Sequence, residues 1–134
     1  MNKQIYVNLP VSDLPKARAF YESLGFTINE EYSDATAACI VISETIYVML
    51  LTYAKFREFT PKAICDTSKA TEVLNCLSCD SRAVVDELVR KAVAAGGTVY
   101  ADAKNYDFMY LHSFQDLDGH AWELVYIQAG SGSA

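Results

Sequence analysis

The residues best suited to chemistry stand near the end of the chain, in Ser113-Phe-Gln-Asp-Leu-Asp-Gly-His-Ala-Trp-Glu-Leu-Val-Tyr126. Residues 109–115 and 120–127 are rich in aromatic and branched side chains and flank Asp116-Leu-Asp-Gly119, which predicts a β-hairpin. In the second arm Trp122, Leu124 and Tyr126 alternate with Ala121, Glu123 and Val125, so Glu123 is expected on the face opposite the large apolar groups. If residues 116–119 form the whole loop, Gln115 pairs with His120, and stepping back along both strands sets His112 against Glu123. A histidine held by a carboxylate can act as a general base. The same pair can be an ordinary cross-strand contact worth about 0.2–1 kcal/mol. Both readings stand at this point.

Other candidates carry less. Cys76-Leu-Ser-Cys79 has redox spacing and precedes a helix start, where a thiolate is favoured. Residues three apart in a strand face opposite sides, however, so these are expected to be structural thiols that neither join nor share a metal. Cys39 and Cys65 have no partner suggested by spacing, and His120 reads as the residue that closes the turn.

The elements that must position these groups follow from periodicity. Residues 4–10 alternate Ile5, Val7 and Leu9 with Tyr6 and Asn8, a half-buried strand. Ser12 and Asp13 offer cap oxygens, Pro15 suits a first helical turn, and Leu14, Ala17, Phe20, Tyr21 and Leu24 keep helical spacing up to Gly25. Strand-like runs follow at 26–32, 37–42 and 46–52. Residues 53–70 are mixed in charge, are interrupted by Pro61 and carry Tyr53, Phe56 and Phe59; they read as a connector whose aromatics form a lid, a dimer contact or a satellite core. Then the pattern returns: a strand over 71–79, a helix capped by Asp80 or Ser81 and ended by Gly96-Gly97, a strand over 98–106, and the hairpin. Each half reads βαβββ. The expected class is therefore α+β: one domain over residues 1–128, with modules at about 1–53 and 71–128, a connector at 54–70 and a flexible tail at 129–134. Asn8-Leu-Pro-Val-Ser-Asp13 and Asn75-Cys-Leu-Ser-Cys-Asp80 suggest a repeat offset of 67 residues.

Composition limits the partners. The chain has 134 residues, 51% of them hydrophobic, and a formal charge of −6 with an isoelectric point near 4.8. A basic face for nucleic acid or anionic lipid is missing, and no apolar run approaches the roughly 20 residues of a membrane span. No secretory leader is read in the first residues, so a cytoplasmic protein with reduced cysteines is expected.

The double βαβββ order, the Asn8-Leu-Pro-Val-Ser-Asp-Leu14 opening with Phe20-Tyr21 and Leu24-Gly25-Phe26, and the Asp116-Leu-Asp-Gly-His-Ala-Trp-Glu123 close together resemble the vicinal oxygen chelate superfamily. That superfamily includes glyoxalase I, bleomycin and fosfomycin resistance proteins and extradiol dioxygenases; the closing stretch is most similar to the branch labelled predicted lactoylglutathione lyases. The resemblance implies two βαβββ modules forming a cup-shaped mixed sheet around a divalent metal, and commonly a homodimer. Of the four ligand positions it implies, the first falls on Tyr6, the second on Leu50, the third on Leu74 or Val73, and only the last keeps a carboxylate, Glu123. A catalytic divalent site wants about three protein ligands. No cofactor is therefore expected, and Glu123 is the one ligand should a metal bind at all.

On strand parity, Tyr6, Asn8, His112 and Glu123 are expected around one cavity, with Leu50, Leu74, Tyr110 and Val125 as further lining. The expected function is binding of a small organic molecule without the metal. The alternatives are a glyoxalase-type lyase or isomerase or a dioxygenase, metal-dependent or using His112 with Glu123, and a structural protein on a ferredoxin-like βαββαβ plan.

Overall fold

The computed structural model describes residues 2–128; the tail expected at 129–134 lies outside the described residues. The chain divides into two compact units, Met1–Asp66 and Thr67–Ala134, with the division inside the expected connector.

The first unit contains strand β1 (Ile5–Val11), helix α1 (Leu14–Ser23), β2 (Thr27–Asn29), a 3-10 turn (Glu30–Tyr32), β3 (Ala37–Val41), β4 (Ile46–Thr52) and a short helix α2 (Tyr53–Arg57). The second contains β5 (Leu74–Ser78), helix α3 (Arg82–Ala94), β6 (Lys104–Asn105), β7 (Met109–Gln115) and β8 (Ala121–Ile127). The sheets are four-stranded and mixed, ordered β1-β4-β3-β2 and β5-β8-β7-β6. In each, the first strand lies parallel to the last, and the last three strands run antiparallel. The ferredoxin-like βαββαβ plan is thereby replaced by two βαβββ modules.

Local chemistry explains the elements. The Asp13 side chain accepts from the Lys16 amide at 3.0 Å, Pro15 fills the first turn of α1, and Gly25 leaves the helix with φ +101°. Ser81 does the same for α3 by accepting from the Val84 amide at 3.1 Å. Leu9, Val11, Ala38, Ile40, Val48 and Leu50 share one face of the first sheet and are buried with Leu14, Ala17, Phe20 and Tyr21 of α1. In the second unit Val85, Val89 and Ala92 of α3 are buried, and α3 packs on β7 and β8. Two expectations were too regular. Residues 26–32 pair only at 27–29, because the Asn29 side chain caps the 3-10 turn by accepting from the Glu31 amide. Within residues 98–106 only a bridge from Thr98 to Gln115 and the two residues of β6 pair with β7.

The caps also revise the repeat. Asp13 and Ser81 are 68 residues apart, not 67, and the faces agree: Asn8 lies on the sheet face away from α1, as Cys76 does on the face away from α3, whereas Asn75 points to the helix side. The shared Asn residues are not structural equivalents. Equivalence by register instead matches Asn8 with Cys76 and their neighbours Met49 with Glu123.

The terminal hairpin decides the site. The chain reverses over Leu117-Asp118-Gly119, and Asp116 closes the turn by donating its amide to the His120 carbonyl at 3.0 Å. The buried Asp116 carboxylate accepts from the amides of Asp118 and His120, both at 2.9 Å. Gly119 has φ +84°, and a Cβ there would meet the Thr67 carbonyl oxygen at 2.9 Å, so glycine is required twice over. A three-residue loop ending in a left-handed glycine is a common hairpin solution. Removing the carboxylate leaves two amides without their acceptor. Asp116→Ala is expected to destabilise the protein by about 2 kcal/mol, read as a lower urea midpoint with unchanged slope.

Candidate functional site

The three-residue loop shifts the hairpin by one residue from the four-residue expectation. Ser113, not His112, stands opposite Glu123, and His112 stands opposite Leu124. One residue of slip exchanges the faces, so His112 and Glu123 lie on opposite sides of the sheet. The expected acid/base pair does not exist.

The helix-side face of the second sheet holds Tyr110, His112, Phe114, Trp122, Leu124 and Tyr126. Phe114 and Trp122 stack with ring centres 6.4 Å apart. Tyr110 belongs to this packing and not to a ligand site: its hydroxyl donates to the Asp86 carboxylate of α3 at 2.5 Å, and the Arg82 guanidinium sits 5.4 Å over its ring while also donating to Asn105 at 2.7 Å. Leu50, the third lining residue expected in the first unit, is likewise displaced. It is 0% exposed on the face packed with α1, and the position in register with Asn8 is Met49.

The opposite face of the second sheet brings together what the sequence had kept apart. Cys76 is registered beside Glu123 across the parallel β5–β8 pair, and Ser113 flanks Glu123 on the other side. Leu74, Ala121, Leu111 and Val125 surround this row on the same face, so the expectations for Leu74, Val125 and Glu123 meet there. Tyr100, from the irregular stretch before β6, adds a phenol within electrostatic range of Ser113, Glu123 and Cys76. Leu74 is 50% exposed, Tyr100 41% exposed, Cys76 exposed and Glu123 partly exposed, whereas Ser113, Ala121 and Val125 are buried, so the face is open to ligand along β5 and at Glu123.

Electrostatics follow from this crowding. Burial, and then the Glu123 carboxylate, push the Cys76 thiol above its ordinary pKa, and burial is also the first cause of the upward shift of the Tyr100 phenol, which Ser113 partly opposes. Both groups are neutral near pH 7. Cys79, beyond the end of β5, is shifted up by burial, then by Asp80 and Cys76; both thiols are free.

Tyr6 and Asn8 lie in the first unit, on the face away from α1. Tyr6 stacks on Tyr47 with ring centres 4.7 Å apart and donates to Gln4 Oε1 at 3.1 Å, while Gln4 Nε2 donates to the Tyr47 hydroxyl. Asn8 Nδ2 donates to the Tyr6 carbonyl at 3.2 Å. Partial desolvation, then Tyr47, Cys39 and Tyr32, raise the Tyr6 pKa.

The sequence of residues 3–43 matches the bleomycin resistance protein-like N-terminal family. A hypothetical protein from S. aureus has a solved structure with 30% identity and a TM-score of 0.78, the match covering 94% of each chain. A glyoxalase/bleomycin resistance protein/dioxygenase family enzyme from Burkholderia phytofirmans PsJN superposes with a TM-score of 0.77 at 18% identity, over 94% of this chain and 99% of that one. The fold is that of the glyoxalase/bleomycin resistance proteins. A glyoxalase-related enzyme from Fulvimarina pelagi is comparable, with a TM-score of 0.77 at 19% identity over 94% of this chain and 88% of that one. No curated protein matches the sequence.

The divalent metal implied by the superfamily does not fit the residues present. In the second unit the candidate strand positions carry Leu74 or Cys76 beside Glu123; in the first they carry Tyr6 or Asn8 beside Tyr47 or Met49. Among the described residues no group of three or more histidine, cysteine, aspartate and glutamate side chains could hold a metal ion. One carboxylate is too few for an open divalent site. No helix among the described residues is long and apolar enough to cross a membrane.

The missed residues had weak signals. Cys76 was visible as a thiol, but its neighbour Glu123 is 47 positions away, and Tyr100 lies in a stretch with no regular period. The reassignment of Tyr110 is testable: Tyr110→Phe is expected to lower stability by about 0.5–1 kcal/mol in urea unfolding, through loss of the Asp86 bond.

Proposed function

We propose that this protein binds a small organic molecule on the open face of its C-terminal sheet, without the metal chemistry that the superfamily resemblance implies. The observation that carries this reading is the row Cys76–Glu123–Ser113 with Tyr100 beside it: polar groups converging on an exposed, otherwise apolar sheet face. Glu123 there acts as an acceptor that fixes the ligand's orientation, Tyr100 and Ser113 supply hydroxyls, and Leu74 and Val125 take the carbon skeleton. Burial and the neighbouring Glu123 carboxylate hold the Cys76 thiol in its neutral, weakly nucleophilic form, so recognition, by sequestering or sensing, is preferred to turnover.

A melting-temperature series separates the readings. A ligand specific for the folded state at about 100 times its Kd adds roughly 2.7 kcal/mol, several degrees for a chain of this size. Nickel, zinc, manganese and iron(II) added to chelator-treated protein are expected to leave the melt unchanged. A library of small organic molecules is expected to yield compounds that raise it, with the shift reduced in Glu123→Gln. A large shift with one ion, or organic hits indifferent to Glu123→Gln, would sink the proposal.

A further inference from the structure

We infer that the open face of the C-terminal unit selects a small organic cation, an ammonium or similar onium group, with the Glu123 carboxylate as counter-charge and the Cys76 thiol in contact. This rests on the reading of that face as a ligand site and adds the charge class of its ligand.

The row across β5, β8 and β7 is Cys76, Glu123 and Ser113, with the Tyr100 phenol within electrostatic range of it. Glu123 is the one formal charge in that group, since the upward shifts of Cys76 and Tyr100 keep both neutral near pH 7. The ion pairs among the described residues join Arg18 to Glu30, Lys55 to Glu58 and Arg90 to Glu87, and none uses Glu123. The nearest basic side chain by register on this face is Lys104, opposite Leu111 in β6. Lys104 is two strand spacings across and two residues along from Glu123, and no ion pair joins the two side chains. Among the described residues the carboxylate therefore has no ion-pair partner.

The surroundings strengthen its field. Leu74, Ala121, Leu111 and Val125 place apolar surface around the row. A charge at contact distance in such a partly apolar setting feels Glu123 roughly four times as strongly as in bulk water. An anionic ligand meets repulsion, and a neutral one leaves the carboxylate unmatched. An onium group satisfies it.

Cys76 is the reporter that makes this measurable. Two methanethiosulfonates of similar size, one ending in trimethylammonium and one in sulfonate, modify thiols by the same step. The thiolate attacks the sulfenyl sulfur, a mixed disulfide forms and methanesulfinate leaves. Mass spectrometry of peptides gives the rate at Cys76 and, as internal reference, at the exposed Cys65 of the connector. At low salt the cationic-to-anionic rate ratio at Cys76 is expected to exceed that at Cys65 by about tenfold or more, and to fall to the Cys65 value in Glu123→Gln. High salt applied to the unmutated protein must shrink the same ratio, which keeps the test valid should the variant fold poorly. Equal ratios at the two cysteines, or a ratio that survives Glu123→Gln or high salt, overturn the inference. A melting screen that returns only neutral or anionic binders also overturns it while leaving the ligand reading standing; a screen that returns no binder is the failure of that reading itself.

Discussion

The Asp116 carboxylate is the smallest element on which the rest of the second unit turns. By accepting from the Asp118 and His120 amides it holds a three-residue reversal, with Gly119 in the left-handed region against Thr67. That reversal sets the register of β7 against β8, and register decides which side chains share a face. With one more residue in the loop, His112 would sit with Glu123, and the sheet would present a histidine–carboxylate pair in place of a carboxylate among a thiol and two hydroxyls. The chemistry available to the protein is thus fixed by a buried aspartate that takes no part in it.

The two units show how one plan can diverge. Each places its first strand parallel to its last and buries the face under its longer helix, and capping residues 68 apart align them. The faces away from those helices are not alike. In the first unit, Tyr6, Tyr47 and Gln4 are tied to one another by stacking and hydrogen bonds, and Asn8 is bonded to the backbone. In the second, Glu123 has no ion-pair partner among the described residues. Side chains already satisfied within the fold give a ligand little to gain, whereas an unpartnered carboxylate beside apolar surface has interaction energy left to give.

The superfamily's metal chemistry depends on donors from several strands. Substituting Leu74 or Cys76, Met49 and Tyr6 or Asn8 around a retained Glu123 keeps the scaffold while removing the ligand set. Glu123 is the one formal charge in its row with Cys76 and Ser113. This is consistent with the view that a fold accommodates many activities through the few side chains it presents.

Much of the fold was legible along the chain. The cap and stop residues of α1 and α3, the alternation in β1 and β8 and the repeated βαβββ order are local signals, and local physics read in sequence order suffices for them. So does the side of β8 on which Glu123 falls, because period-2 alternation needs no partner strand. What the sequence could not decide were quantities set between strands: the register of the hairpin, which depended on a side chain bonding to the backbone within its own turn; the neighbours of Glu123, drawn from β5 and from the stretch before β6; and the fate of Leu50 and Tyr110, which parity alone left on a ligand face and packing assigned to the helices. Hydrogen-bond ladders couple residues dozens of positions apart, and a shift of one position, invisible in composition or periodicity, reverses every side chain on the strand.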